Sequence, residues 1–281
     1  MGASIYLGTS LSAGTKGCNI ILASTGPSFD PDAQAFITAA AITDATQQSA
    51  INTLVVDLKG YSIWTKFKAI YPIVGGTAAT HKWNLKDPRD LDAAFRLTFA
   101  TGWTHSANGM LPNGATYANT FFKPSTEGLT YNNNHLSYYS RTSTAFDFYD
   151  MGSGTVGFTD LLSLWIRRTA NTSGYDSGAV STNRLTVTNT DGKGFYNNTA
   201  PSTTAKIFKN GSSIASKTNS ASSISNINVQ IGALLESGGF GYSYGNKQCA
   251  FASIGDGLTD TEAANFYTAV QAYQTTLSRQ V

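Results

Sequence analysis

The chain has 281 residues, of which 41% are apolar, 12% aromatic and 13% charged, with 27 glycines and a formal charge of +2. Such a length forms one large β domain, or one with a small appendage, and buries roughly three quarters of its unfolded surface without cross-links. The small charge speaks against a nucleic-acid partner and the aromatic load against disorder, and no apolar run nears the roughly 18 residues of a membrane span.

Residues 1–29 are rich in Gly, Ser and Thr, with weak strand character at Ile20–Leu22, and read as an arm or an edge strand. Asp30–Pro31 then has the form of an N-cap followed by proline at the first helical position. A second helix is expected from about Asp44 to Lys59. There Ile51, Leu54, Val55 and Leu58 recur at i, i+3, i+4 and i+7, and Gly60 marks the stop. This helical pair has a single apolar stripe, which the remainder of the chain or a neighbouring subunit must cover.

Beyond Ile63 the period changes. Asp87–Pro88 predicts a short helix from Arg89 to Phe95. Strands are expected at Arg96–Phe99, Tyr117–Phe122, His135–Ser140, Ala145–Met151, Leu161–Arg167, Arg184–Thr188, Thr204–Lys209, Ser213–Thr218, Asn226–Ala233 and Gln248–Gly255. Turn clusters such as Asn132–Asn134, Asp191–Gly192, Asn210–Gly211 and Gly238–Gly239 separate them. Short strands at this spacing indicate a sandwich or barrel. Thr259-Asp-Thr-Glu262 is a capping box that opens a last helix, with Phe266, Val270, Tyr273 and Leu277 on one face. The expected division is an arm at 1–29, a helical attachment segment at 30–60 and a β domain at 61–281. Cys18 and Cys249 lie near opposite ends of the chain; sparse usage of this kind favours free buried thiols over a disulfide framework.

Two resemblances add to this reading. Ala205-Lys-Ile-Phe-Lys-Asn210–Gly211, Ser213-Ile-Ala-Ser-Lys217, Ile227-Asn-Val-Gln-Ile231–Gly232 and Phe251 to Glu262, in that order, resemble the closing half of laminin-G/concanavalin-A-like domains. That resemblance implies a mainly β, antiparallel jelly-roll sandwich, here with a small N-terminal helical segment and a short C-terminal helix. The stretches Asp44–Leu54, Ile63–Gly76, Lys82–Asp90, Gly102–Ser106 and Leu136–Arg141 resemble segments of tailed-bacteriophage structural proteins. They imply a virion component: a capsid-surface decoration, a head fibre or a tail fibre, acting in particle assembly or host-surface attachment. The implied partners are other virion proteins, further copies of the chain with a trimer favoured, and host-surface polysaccharide. Met1–Gly26 lacks the charged and long apolar regions of a secretion signal, which fits assembly in a host cytoplasm and release on a particle. The alternative is a glycan-binding receptor-recognition module, with a polysaccharide depolymerase behind it.

Catalysis has little to work with. Retaining glycoside hydrolysis needs two carboxyl groups about 5–5.5 Å apart, whereas Glu127, Glu236 and Glu262 are scattered and Glu262 belongs to the capping box. Asp147 and Asp150, at i and i+3, would face opposite sides of a strand. A non-enzymatic role is therefore expected. His81, His105 and His135 lack the close spacing of a metal site. No cofactor is indicated, although Asp147, Asp150, Asp176 and Asp191 could offer oxygens to calcium without any motif to organise them. Sugar binding would use aromatic faces and amide groups. Tyr131 with Asn133, Tyr196 with Asn197, and Tyr242, Tyr244 and Asn246 have that chemistry. The same residues could equally cap the core or fill a subunit interface.

Overall fold

The computed structural model describes residues 29–178, 183–220, 223–236 and 243–281. The expected arm therefore lies, except for Phe29, outside the described residues, as do Cys18 and Tyr242. The first half of the chain holds α1 (Pro31–Ala39), α2 (Ala45–Gly60), β1 (Phe67–Tyr71), α3 (Ala78–His81), β2 (Thr98–Phe99), β3 (Trp103–Ser106), β4 (Gly109–Pro112), β5 (Ala118–Asn119) and β6 (Asn134–Ser140). The strands β7 (Met151–Gly154), β8 (Leu161–Trp165), β9 (Thr172–Gly178), β10 (Leu185–Thr188), β11 (Gly194–Ala200) and β12 (Thr204–Lys209) come next. They are followed by β13 (Ser212–Thr218), β14 (Gln230–Ile231), β15 (Ala233–Glu236), β16 (Ser243–Tyr244), β17 (Cys249–Gly255) and α4 (Asp260–Thr276).

Two sheets face each other, giving the mainly β sandwich that the sequence predicts. The first runs β13-β12-β11-β6-β17-β4-β3, with β1 also paired to β17; the second runs β10-β9-β8-β7-β14-β5-β2, with β15 and β16 joined to it through β7. Pairing is antiparallel except between β15 and β7. Leu136 and Tyr138 of β6, Tyr196 of β11 and Ile254 of β17 point into the space between the sheets, where they meet Leu162, Leu164 and Tyr175 of the second sheet. Their neighbours Tyr139, Phe195 and Phe251 point the other way, towards the helices. Every residue of β6, β11 and β17 is buried as a result.

The helices cover that second face. Asp30 caps α1 by accepting from Asp32 N at 3.0 Å, and Asp44 caps α2 by accepting from Gln47 N at 2.8 Å. Lys59 Nζ bridges back to Asp30 at 2.7 Å and Asp32 at 2.6 Å, which fixes α1 against α2. The stripe Ile51, Leu54, Val55 and Leu58 is fully buried in the same cluster as Phe195, Phe251 and Phe266. Residues 30–60 thus share one core with the sandwich, and the cover for their stripe comes from this chain. The capping box of α4 forms as expected, with Thr259 N donating to Glu262 Oε2 at 2.8 Å.

Several expectations on local structure change. Between Arg89 and Phe95 only a tight turn at Asp92–Ala94 forms, ended by Phe95 in the left-handed region. The ion pairs of Arg96 with Asp90 and Asp92 close this segment instead of a helix. Residues 145–150 precede rather than form a strand. The strands β3, β4, β9, β11 and β16 fall outside the strands expected from the sequence. In β9 and β11 the runs Thr-Ser-Gly-Tyr-Asp-Ser-Gly and Gly-Phe-Tyr-Asn-Asn-Thr-Ala carry residues depleted in strands, and neighbours on both sides overrule that preference.

The C-terminal segment locks the layers together. Arg279 is completely enclosed and donates to Ile73 O (2.6 Å), Pro72 O (2.8 Å), Ala250 O (2.9 Å) and Gln274 Oε1 (2.6 Å). It therefore ties the end of α4 to β17 and to the segment after β1. Replacing Arg279 by Ala takes this donor from Ile73 O and Gln274 Oε1 in a dry interior, at about 1–3 kcal/mol per group, while Pro72 O keeps the Tyr273 hydroxyl and Ala250 O the Gln274 amide. Denaturant unfolding of Arg279→Ala is expected to show a loss of several kcal/mol, and a loss below about 1 kcal/mol would remove the clamp from this account.

His135 sets an acid limit. Its Nδ1 donates to Asp256 O at 2.6 Å and its Nε2 accepts from Ser253 Oγ at 3.0 Å, so the ring is neutral and both nitrogens are used. Burial pushes its pKa down to about 4. The unfolded chain takes up a proton near the ordinary value of about 6.5. Stability from this group is therefore complete above pH 6.5 and falls as pH drops towards about 4. Urea midpoints measured across this range should flatten in His135→Gln.

Candidate functional site

The strands end in loops, and at the end where β6 begins and β9 finishes these loops enclose a cleft of about 630 Å³. Such a volume suits a small ligand. Three stretches of chain form it: 125–132, the β7–β8 loop from Thr155 to Asp160, and 223–226. Leu129 and Ile224 are buried and form an apolar floor. Tyr131 is partly exposed, and Asn132, Asp160, Ser223 and Asn226 supply polar groups at the walls.

The fold fixes this arrangement by hydrogen bonds between the sheets. Asn134 Nδ2 donates to Ser177 Oγ at 2.8 Å, joining the start of β6 to the end of β9. Ser177 Oγ in turn donates to Tyr131 O at 2.7 Å, and Asn219 Nδ2 donates to the same carbonyl at 3.0 Å. The backbone of Tyr131 is thereby pinned while its ring stays outside the hydrophobic clusters. Ser223 Oγ donates to Asp160 Oδ1, linking the β7–β8 loop to the opposite wall. The loop itself closes through Phe158 N to Thr155 O at 3.0 Å. It carries Val156 and Phe158 with 59% and 40% of their surface exposed, so apolar surface borders the cleft.

Of the residues singled out from sequence, Tyr131 lines this cleft. Asn133 stands beside it but serves the backbone, accepting from Gly257 N at 2.8 Å. Tyr196 and Asn197 belong to the central strand β11 and are buried, so a ligand in solution does not reach them. Tyr196 sits between the sheets, its hydroxyl donating to Asp191 O at 2.8 Å, and burial raises its pKa. Asn197 faces the helical side with no hydrogen-bond partner for its amide among the described residues. Tyr244 lies on β16, paired with β15, and Asn246 follows it; neither lines the cleft. The three proposed groups therefore do not converge on one place.

On the outer face of the second sheet the Trp165 ring is closed to a sugar. Trp165 lies against Gly174, where an added Cβ would come within 1.9 Å of the indole. Arg168 and Arg184 stack on the same ring at 4.1 and 4.8 Å, leaving it 1% exposed. Arg184 is held there by the buried Asp176 at 2.8 Å and by the Tyr149 hydroxyl.

The aspartates considered for calcium are separated and engaged. Asp147 accepts from Thr169 N (2.9 Å), Asp150 pairs with Lys247 (3.5 Å), Asp176 with Arg184, and Asp191 accepts from Lys193 N (3.1 Å). Among the described residues no group of three His, Cys, Asp or Glu side chains could hold a metal ion. One pairing escaped the sequence spacing: His81 Nδ1 and His105 Nδ1 lie 2.9 Å apart. His81 Nε2 accepts from Gly76 N, and burial lowers its pKa to about 3, so the pair is neutral. Cys249 is a buried thiol whose pKa burial raises to about 12.

No protein-family model matches the chain, and no curated protein matches it. Solved structures of similar shape do exist. A mutant of Trypanosoma rangeli sialidase displaying trans-sialidase activity shares 9% identity at a TM-score of 0.50, over 80% of this chain and 39% of that one. Domain 4 of AbnA, a GH43 extracellular arabinanase from Geobacillus stearothermophilus, in complex with arabinotriose, gives 13% identity and 0.48 over 72% of this chain and 98% of that domain. The CBM40 of Ruminococcus gnavus IT-sialidase gives 21% and 0.35, over 47% of this chain and 80% of that one. At these identities the likeness concerns the fold, a β-sandwich. The resemblance to tailed-phage proteins has no counterpart among these matches.

The placement of Tyr196 gives a direct check. Tyr196→Phe removes the hydroxyl from Asp191 O and Asn189 Nδ2 and should cost about 1–2 kcal/mol in chemical unfolding. Binding of any ligand in the cleft should be unchanged.

Proposed function

We propose that this chain is a glycan-binding module that holds a neutral saccharide in the cleft around Tyr131. The cleft itself carries the reading: an aromatic ring and an apolar floor lie beside two amides, one carboxylate and several hydroxyls, with no basic side chain among the lining residues. Sugars present apolar C–H faces and a rim of hydroxyls, and this lining answers both. A phosphate or carboxylate ligand would meet Asp160 and no cation. The sandwich, shared in shape with a sialidase, accords with the reading. Binding without hydrolysis follows from the same lining, since Asp160 is its one carboxylate and glycosidic cleavage uses two.

A virion setting is the second reading, supported by the resemblance of residues 44–141. There the cleft would grip host-surface polysaccharide and the chain would act in attachment, as one of several copies beside other virion proteins. Cryo-EM of a particle carrying this chain tests that setting separately. Density for residues 30–60 against a neighbouring subunit would support it, and a chain absent from purified particles would count against it.

A glycan array of plant, bacterial and animal polysaccharides, followed by calorimetry on the best ligand, tests the binding reading. Tyr131→Ala and Asn132→Ala should each weaken binding about tenfold or more, with no shift in unfolding midpoint and no release of reducing ends. Unchanged affinity in both variants, or silence across the array, would sink it.

A further inference from the structure

A second cleft, of about 480 Å³, adjoins the first across the segment 123–129; Phe95, Phe121, Lys123, Glu127 and Asn228 are among its lining residues. The segment between the clefts is a single turn, closed by Glu127 N to Lys123 O at 3.0 Å and Leu129 N to Pro124 O at 2.9 Å. Ser125 and Leu129 border the first cleft, whereas Lys123, Thr126 and Glu127 border the second. The segment opposite repeats this, with Asn226 on one side and Asn228 on the other. A ridge of one turn is about 10 Å across, so one extended ligand can cross it.

Three observations mark the second cleft as built rather than incidental. Thr120 N donates to Val229 O at 3.2 Å while Val229 N donates to Phe122 O at 2.9 Å, so just beyond the end of β5 the residues 120–122 stand opposite the single residue Val229. Phe122 goes into the core, and Phe121 is left partly exposed outside the hydrophobic clusters. Secondly, Phe121 and Phe95 have φ of 57° and 59°, a backbone region that bulky side chains avoid unless surroundings impose it. Phe95 is backed by Phe122, with ring centroids 5.0 Å apart. Thirdly, the Asn228 Oδ1 acceptor is buried and has no donor among the described residues. Two held aromatic rings and an unused acceptor again suit C–H faces and a hydroxyl. Lys123 and Glu127 offset each other in charge, and Asp92 is taken by Arg96 at 2.9 Å.

We propose that this cleft is a second saccharide subsite continuous with the first, so that the ligand is a neutral oligosaccharide laid across the 123–129 turn. The inference rests on the saccharide reading of the Tyr131 cleft. Its test is calorimetry with a ladder of neutral gluco-, xylo- and arabino-oligosaccharides, from disaccharides upward, on the full chain. Affinity should rise with length and then level off. Phe121→Gly removes the ring while suiting the positive φ, so folding is preserved; it should abolish the gain with length, about tenfold, and leave disaccharide affinity unchanged. Phe121→Trp should keep the gain. Tyr131→Ala should weaken short and long ligands alike. If Tyr131→Ala acts as expected but Phe121→Gly retains the full length dependence, the second subsite is wrong and the first stands. If affinity is flat with length, the inference also fails. If no member of the ladder or of the array binds, both readings fall together.

Discussion

Phe266 of α4 is the contact on which the layered structure depends. Its ring meets Phe67, Phe195 and Phe251 edge-on, at 4.7, 5.0 and 5.9 Å, and so joins the last helix to β1, β11 and β17. With this helix and α2 in place, the central strands β6, β11 and β17 of the first sheet have no wet face. Strands buried on both sides cannot follow a simple in–out alternation, and their polar groups must find partners inside. His135, Ser137 and Ser253 do so by bonding to one another. The neutral state of His135 follows from being sealed in, not from any chemistry it performs.

With helices over the central strands of one sheet and Arg168 and Arg184 over Trp165 of the other, the strand ends are left to meet ligands. Loops there can be polar without disturbing either core, which is why binding groups tend to gather at such places. The cleft around Tyr131 has this origin. Its walls are drawn from segments remote in sequence, and Asn134, Ser177 and Asn219 hold them at a fixed separation by bonds between the sheets.

What could be read from sequence was local. Asp30–Pro31 and the Thr259–Glu262 box cap their helices as expected, because a cap involves only a few consecutive residues. Asn210–Gly211 likewise forms the β12–β13 hairpin, both residues at positive φ as a two-residue loop of this kind requires. The strand β11 was illegible because two asparagines suggest a turn, and only its neighbours β6 and β12 force it straight. Tyr131 could be chosen for its chemistry, but Asp160 and Ser223 reach it through sheet pairing that no spacing records. Phe121 did leave a trace. In Asn119-Thr-Phe-Phe122 two adjacent aromatics interrupt the alternation of the expected strand, at the place where β5 ends.

The reach of the Arg279 clamp has a consequence for how the chain comes to be folded. Its carbonyl partner at Ile73 lies 206 residues earlier. At ordinary ribosomal speeds of about 5–20 residues per second, that carbonyl and the apolar stripe of α2 emerge about 10–40 s before the residues that cover them. During that interval α2 has α1 and β1 beside it, but the part of its stripe that α4 later covers is still exposed. Closing the core thus waits on contacts of very long sequence separation, which slow folding and leave apolar surface open while they form.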